Sequence, residues 1–169
     1  MICGDVNFNN PSSGPSQLGV SLKREEMNEW SIGNGHSARL TIQILTRPAN
    51  DSGYDWIEAC VSISAGRFSG QFRASLLLRE LISFLSQLEV LNRDLKGEAE
   101  ISTIEDQVHL KLSMDHSGHY TGSGYVMDEA GTGNKLIYTI CGDQTEFPIT
   151  IRELSQAIEK CKRADNQPL

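Results

Sequence analysis

Residues 68–97 read FSGQFRASLLLRELISFLSQLEVLNRDLKG, and the apolar period changes inside this stretch. Before Ser75 the period is two: Phe68, Gly70 and Phe72 alternate with Ser69, Gln71 and Arg73, as along a strand with one buried face. After Ser75 it is 3.6: Leu77, Leu78, Leu81, Ile82, Leu85, Leu88, Leu91 and Leu95 make one wide stripe with Phe84 at its edge. Ser75 is the expected N-cap, and Gly97, after Lys96, the expected stop. A stripe this wide has to be buried against a sheet, so the stretch predicts a long core helix. Arg79, Glu80, Glu89, Arg93 and Asp94 make it too charged for a bilayer span.

Alternation extends upstream. Leu40, Ile42 and Ile44 face one way, and Ile57, Ala59, Val61 and Ile63 repeat the pattern before a tight turn at Ala65-Gly66-Arg67. Leu18–Leu22 could be a further strand, and residues 25–35 read as a loop despite Trp30 and Ile32. Residues 1–17, rich in Asn, Pro, Ser and Gly, read as a flexible N-terminal arm, and 18–169 as a single α+β domain.

Downstream of the helix a second meander begins weakly with Ala99, Ile101 and Ile104. It becomes strict at Val108, Leu110, Leu112 and Met114. The turn Asp115-His116-Ser117-Gly118 leads into a strand at His119–Met127, and a Gly-rich turn at 128–134 into Leu136, Tyr138 and Ile140. Thr150 and Glu153 fit a T-x-x-E capping box ahead of Leu154, Ala157, Ile158 and Cys161 on one helical face. The expected fold is therefore α+β: antiparallel sheet in two β-meanders, about seven or eight strands, one long core helix between them and a C-terminal helix.

The chain has 169 residues, a formal net charge of −7 and 38% hydrophobic residues, which fits one soluble globular domain. The acidic balance argues against nucleic acid or an anionic membrane as partner, since both demand concentrated Lys and Arg. The amino terminus lacks a basic segment followed by an apolar one, so a cytoplasmic location is expected. Cys3, Cys60, Cys141 and Cys161 form no C-x-x-C pair; Cys60 and Cys141 fall in strand-like runs, where a reduced Cys acts as a small buried hydrophobe.

The routes to catalysis are thin. Gly122-Ser123-Gly124 lies inside a strand pattern rather than at a strand–turn–helix elbow, and Gly131-Thr132-Gly133 precedes no Lys-Ser/Thr and no helix. Asp115, His116 and His119 could hold a metal if their turn brought them together, but as residues of a solvated hairpin turn they need no such role. No catalytic residue, metal site or cofactor is expected.

Charge distribution says more. From Glu89 to Glu129 nine acids stand against three bases, which is six of the chain's seven net negative charges. Either this is an ordinary solvated face or it is an acidic docking surface, formed by Glu98, Glu100, Glu105, Asp106, Asp128 and Glu129, that would steer a basic partner.

The helix and second meander resemble the family of WapI-type immunity proteins, bacterial antitoxins. The resemblance is carried by Trp56, by Phe68-Ser69-Gly70, and by Leu81, Phe84, Leu88 and Leu91. It continues through Gly97-Glu98-Ala99-Glu100, Leu110 and Leu112, then Gly118-His119-Tyr120-Thr121-Gly122-Ser123-Gly124 and Asp143-Gln144-Thr145. It covers 56–161; Thr145-Glu146-Phe147-Pro148 departs from it by delaying the last helix, and the segment before Leu18 has no counterpart. The resemblance implies a non-enzymatic binder that covers a toxin's active site, with a protein partner, here a cationic toxin domain. Trp56, Phe68, Leu81, Phe84, Leu88, Gly118, Gly124 and Leu154 would be structural. Two other classes stay open: a small-molecule- or metal-binding domain using a sheet cavity, and an assembly subunit or chaperone. Oligomeric state is not readable from the sequence.

Overall fold

The computed structural model describes residues 28–46 and 55–164. The expected arm at 1–17 and strand at Leu18–Leu22 lie outside them. Eight strands and two helices follow in the order β1 (Glu29–Ile32), β2 (Ala38–Thr46), β3 (Trp56–Ala65), β4 (Phe68–Leu77), α1 (Leu78–Asp94), β5 (Gly97–Ser102), β6 (Val108–Met114), β7 (His119–Met127), β8 (Lys135–Asp143) and α2 (Phe147–Ala164). The fold is α+β. Each meander closes on itself, giving two four-stranded antiparallel sheets, β1-β2-β3-β4 and β5-β6-β7-β8, with α1 linking them.

The inward stripes come from the predicted alternations. Leu40, Ile42, Ile44, Ile57, Ala59, Val61 and Ile63 in the first sheet are buried, as are Ala99, Ile101, Val108, Leu110 and Leu112 in the second. Leu81, Phe84, Leu88 and Leu91 of α1 and Leu154, Ala157, Ile158 and Cys161 of α2 join the same contiguous core. Phe84 meets the Trp30 ring at 5.7 Å, and Tyr120 stacks on Phe147 at 4.9 Å, so aromatic pairs tie each helix to a sheet.

Several local expectations are corrected. Residues 29–32 are a strand, β1, because Trp30 and Ile32 pair with Ile42 and Leu40 and are fully buried. Ser75 does not cap α1. The β4 ladder runs on to Leu77 opposite Trp56, and the Ser75 hydroxyl instead donates to Glu58 Oε1 at 2.8 Å. The helix starts at Leu78, and Glu80 Oε2 accepts the Leu77 N–H at 2.9 Å, which is half of a capping box. The left-handed residue that ends α1 is Leu95, at φ 52°, two positions before Gly97.

Thr150 lies inside α2, where its hydroxyl donates to the Ser31 carbonyl at 2.7 Å. The preceding turn, Gln144–Glu146, is capped by Asp143, whose Oδ1 accepts the Thr145 N–H at 2.8 Å. This short 3-10 turn is the delay before the last helix. Phe68 is 69% exposed rather than in the core, and Trp56 is half-buried. Cys141 is exposed and Cys60 half-buried, since both fall on the outward parity of their strands.

Candidate functional site

The outer face of the second sheet gathers most of the polar residues singled out in the sequence. Register sets its rows. Glu98 lies opposite Ser113, which lies opposite Thr121; Glu100 opposite Lys111, which lies opposite Ser123; Ser102 opposite His109, which lies opposite Tyr125 and then Ile137. Because side chains alternate across a strand, all of these share one face.

Glu98 and Glu100 run along the edge strand β5. Glu105 and Asp106 sit in the β5–β6 turn and Asp128 and Glu129 in the β7–β8 turn. Lys135, at the start of β8, lies 3.5 Å from Asp106 and so joins the two turns. The six acids thus border one strand and one end of the sheet.

Most of them are engaged. Lys111 Nζ reaches Glu98 at 2.8 Å, and this bond raises the lysine's pKa above its ordinary value. His109 Nε2 pairs with Glu100 at 3.0 Å. Tyr125 donates its hydroxyl to Asp106; that bond first, and Lys135 second among the favourable contacts, hold the Asp106 carboxyl below the usual carboxylate range. The same bond pushes the Tyr125 phenol up.

Asp128 accepts the Asn134 backbone N–H at 2.7 Å and its side-chain amide at 3.0 Å, so it closes its own turn. Glu105 and Glu129 have no ion pair among the described residues.

On the two central strands, in the row next to the β5–β6 turn, sits a stack that the sequence alone did not single out. His109 and Tyr125 rings lie parallel at 5.1 Å, and Lys135 Nζ stands 3.6 Å above the Tyr125 ring. Beside them Ile137 is 75% exposed. The alternation of β6 and β7 placed His109 and Tyr125 outward, but only cross-strand register puts them side by side. The face therefore pairs an amphipathic stack with an acidic border.

The hairpin 115–119 has a different role. Asp115 Oδ1 accepts the Ser117 N–H at 2.9 Å, its hydroxyl at 2.6 Å and the His119 N–H at 3.1 Å, while His116 and His119 are exposed. Among the described residues no three His, Cys, Asp or Glu side chains converge on a point that could hold a metal. Gly118, at φ 82°, lets Gln144 approach: a Cβ there would lie 2.8 Å from Gln144 Oε1. Gly124 lies under the Tyr138 ring, and a Cβ would come within 2.3 Å of the His109 carbonyl oxygen. These glycines shape the sheet.

Two sheets, two bracing helices and a polar sheet face bearing an aromatic stack define an α+β protein. The chain belongs to the Immunity protein WapI-like family, whose model matches residues 31–162. Membership implies a protein partner, a toxin. No curated protein matches the chain. Among the described residues no helix is long and apolar enough to cross a membrane.

Proposed function

We propose that this chain is a non-enzymatic immunity protein of the cytoplasm that neutralises a bacterial toxin by occluding it. Its working unit is the single α+β domain from residue 18 onward, and its docking surface is the outer face of the second sheet. The observation that carries this reading is the arrangement of six carboxylates around the Tyr125–His109 stack, on a chain of net charge −7 in an immunity family. Lys111 and Lys135 are the cations within that border, so the patch keeps a negative field at long range. A toxin with a cationic surface would be steered onto it, and Tyr125 and Ile137 would supply the desolvated centre.

The test uses the toxin partner, recovered by pull-down from the native host. Charge reversal at Glu98, Glu100, Glu105 and Asp106 is expected to slow association at low salt by about tenfold or more and to flatten its salt dependence. Unchanged association at low salt removes the acidic face from the interface. Failure of the unaltered chain to protect cells expressing that toxin removes the immunity reading itself.

A further inference from the structure

Among the described residues the first sheet ends in an open edge. Helix α2 packs beside β1, α1 beside β5, and β2 lies against β8, where Ser37 bonds the Cys141 backbone. By contrast Phe68, Ser69, Gly70 and Gln71 of β4 are all exposed. Which backbone groups point outward follows from the hairpin. Ala65 and Phe68 flank the two-residue turn Gly66-Arg67, so they are the first hydrogen-bonded pair. Bonded pairs then recur at Gly70 and Phe72, and the N–H and C=O of Ser69, Gln71 and Arg73 aim away from β3.

Two bonds independently fix that parity. Gln107 Nε2 donates to the Arg73 carbonyl at 3.4 Å, and Glu80 accepts the N–H of Leu77, another residue of the outward set. Gln107 closes the edge at Arg73. Ser69 and Gln71 are left with a strand's worth of outward donors and acceptors and no backbone partner beyond β3 among the described residues.

Beside this edge runs a groove of about 300 Å³, between Phe68 and Phe72 of β4 and Val126 and Leu136 of the second sheet. A strand added to β4 would send alternate side chains into that groove and the others beside Gln71 and Arg73. The groove wants apolar groups. On the opposite parity, Arg67 and Arg73 stand exposed at the two ends of the open stretch, with no ion pair among the described residues. Asp128 and Lys135, which also line the groove, offset each other in charge.

We infer that the β4 edge at Ser69–Gln71 accepts an extended segment of a partner protein in which apolar residues alternate with acidic ones. This is strand addition, with backbone bonds supplying affinity and the Phe68–Phe72 groove and the two arginines supplying selection. A second copy of the chain fits less well. Antiparallel pairing of β4 with itself about Gly70 sets Arg67 opposite the copy's Arg73, and like charges directly opposed are unfavourable. The inference does not rest on toxin neutralisation, and the two can fail separately.

The experiment uses the full chain and a capped peptide of about eight residues alternating valine with glutamate, at neutral pH. At about ten times its Kd the peptide is expected to slow exchange of the Ser69 and Gln71 amides by about tenfold, with spectral changes confined to β4 and the groove. A valine–lysine peptide is expected not to bind. Gln71→Pro deletes one outward N–H without touching the β3 ladder and is expected to abolish the protection. Phe68→Asp, at a side chain already exposed, should do the same through the groove. Protection elsewhere, equal binding of the lysine peptide, retained binding by either variant, or a concentration-dependent dimer that buries β4 would each overturn the assignment.

Discussion

Tyr120 and Glu146 join the second sheet to the start of the last helix: the buried phenol donates to Glu146 Oε2 at 2.6 Å. Asn34 holds the other oxygen at 2.9 Å, so the β1–β2 loop is drawn into the same junction. Gly142 leaves the space, because a Cβ there would lie 2.5 Å from the Tyr120 hydroxyl. Burial first, then the bond to Glu146, push the Tyr120 pKa far above its ordinary 10.0.

Tyr120→Phe should therefore lower stability by about 1–3 kcal/mol, seen as a lower urea midpoint at unchanged slope. The pH dependence has a definite sign. A phenol whose folded pKa is raised contributes stability that is fully present below pH 10.0 and lost as pH rises beyond it. The variant's stability should fall less steeply above that pH than the wild type's. An equal alkaline slope in both proteins would contradict the assignment.

Tyr138 makes the opposite case. Its hydroxyl is buried and has no hydrogen-bond partner among the described residues, and burial alone raises its pKa. Tyr138→Phe removes an unpaired polar atom while keeping the ring over Gly124. Expected is a change within about 1 kcal/mol, neutral or stabilising, because no partner is orphaned. A loss comparable with that of Tyr120→Phe would reveal a partner for the hydroxyl.

The contrast shows where the sequence was readable. Strict alternation at Val108–Met114 and at Ile57–Ile63 needs only local period, and those strands fall where the pattern put them. Trp30 was hidden because β1 has four residues, too short to establish a period, and owes its place to pairing with β2. Thr150 and Glu153 had the spacing of a cap, yet Asp143 and the 3-10 turn begin the helical path earlier. Phe68 continues a buried alternation but stands at an open groove between β4 and the second sheet, so it is 69% exposed. The acids were visible as composition. Their partners Lys111, His109, Tyr125 and Lys135 depend on register, which a single strand does not encode.

Gly124 tests how closely the second sheet is fitted. A methyl at this position meets the His109 carbonyl oxygen at 2.3 Å and the Tyr138 hydroxyl at 2.9 Å, and the first of these is backbone that cannot swing aside. Gly124→Ala should cost at least about 2 kcal/mol, toward the upper end of overpacking effects. Gly131→Ala is the matched comparison: φ is 76°, but a Cβ would meet nothing within 4 Å. It should lose only the left-handed strain of about 1–2 kcal/mol. Equal and small losses at both sites would mean that the β6–β7 ladder shifts easily.

Three aspartates close turns with the same chemistry. Asp115 accepts from Ser117 and His119, Asp128 from Asn134, and Asp143 from the Thr145 N–H and hydroxyl. In each, side-chain and backbone hydrogen bonds to the ionised form hold the carboxyl below its ordinary 3.8. A depressed folded pKa contributes stability that is present above about 3.8 and lost as pH falls through the lower folded value. Asp115→Asn keeps an acceptor oxygen in the turn but removes the titrating charge. Its urea midpoint should be lower than wild type at about pH 7, and the gap should narrow as pH falls below the ordinary 3.8, as the wild-type carboxylate takes up its proton. Parallel curves across that range would show that Asp115 acts only as a neutral turn former. The Asp115 and Asp128 turns lie at opposite ends of β7 and share no partner, so the double Asn variant should narrow the gap by the sum of the single effects; Asp143, which lies opposite His119 and so shares that neighbour with Asp115, should not add independently.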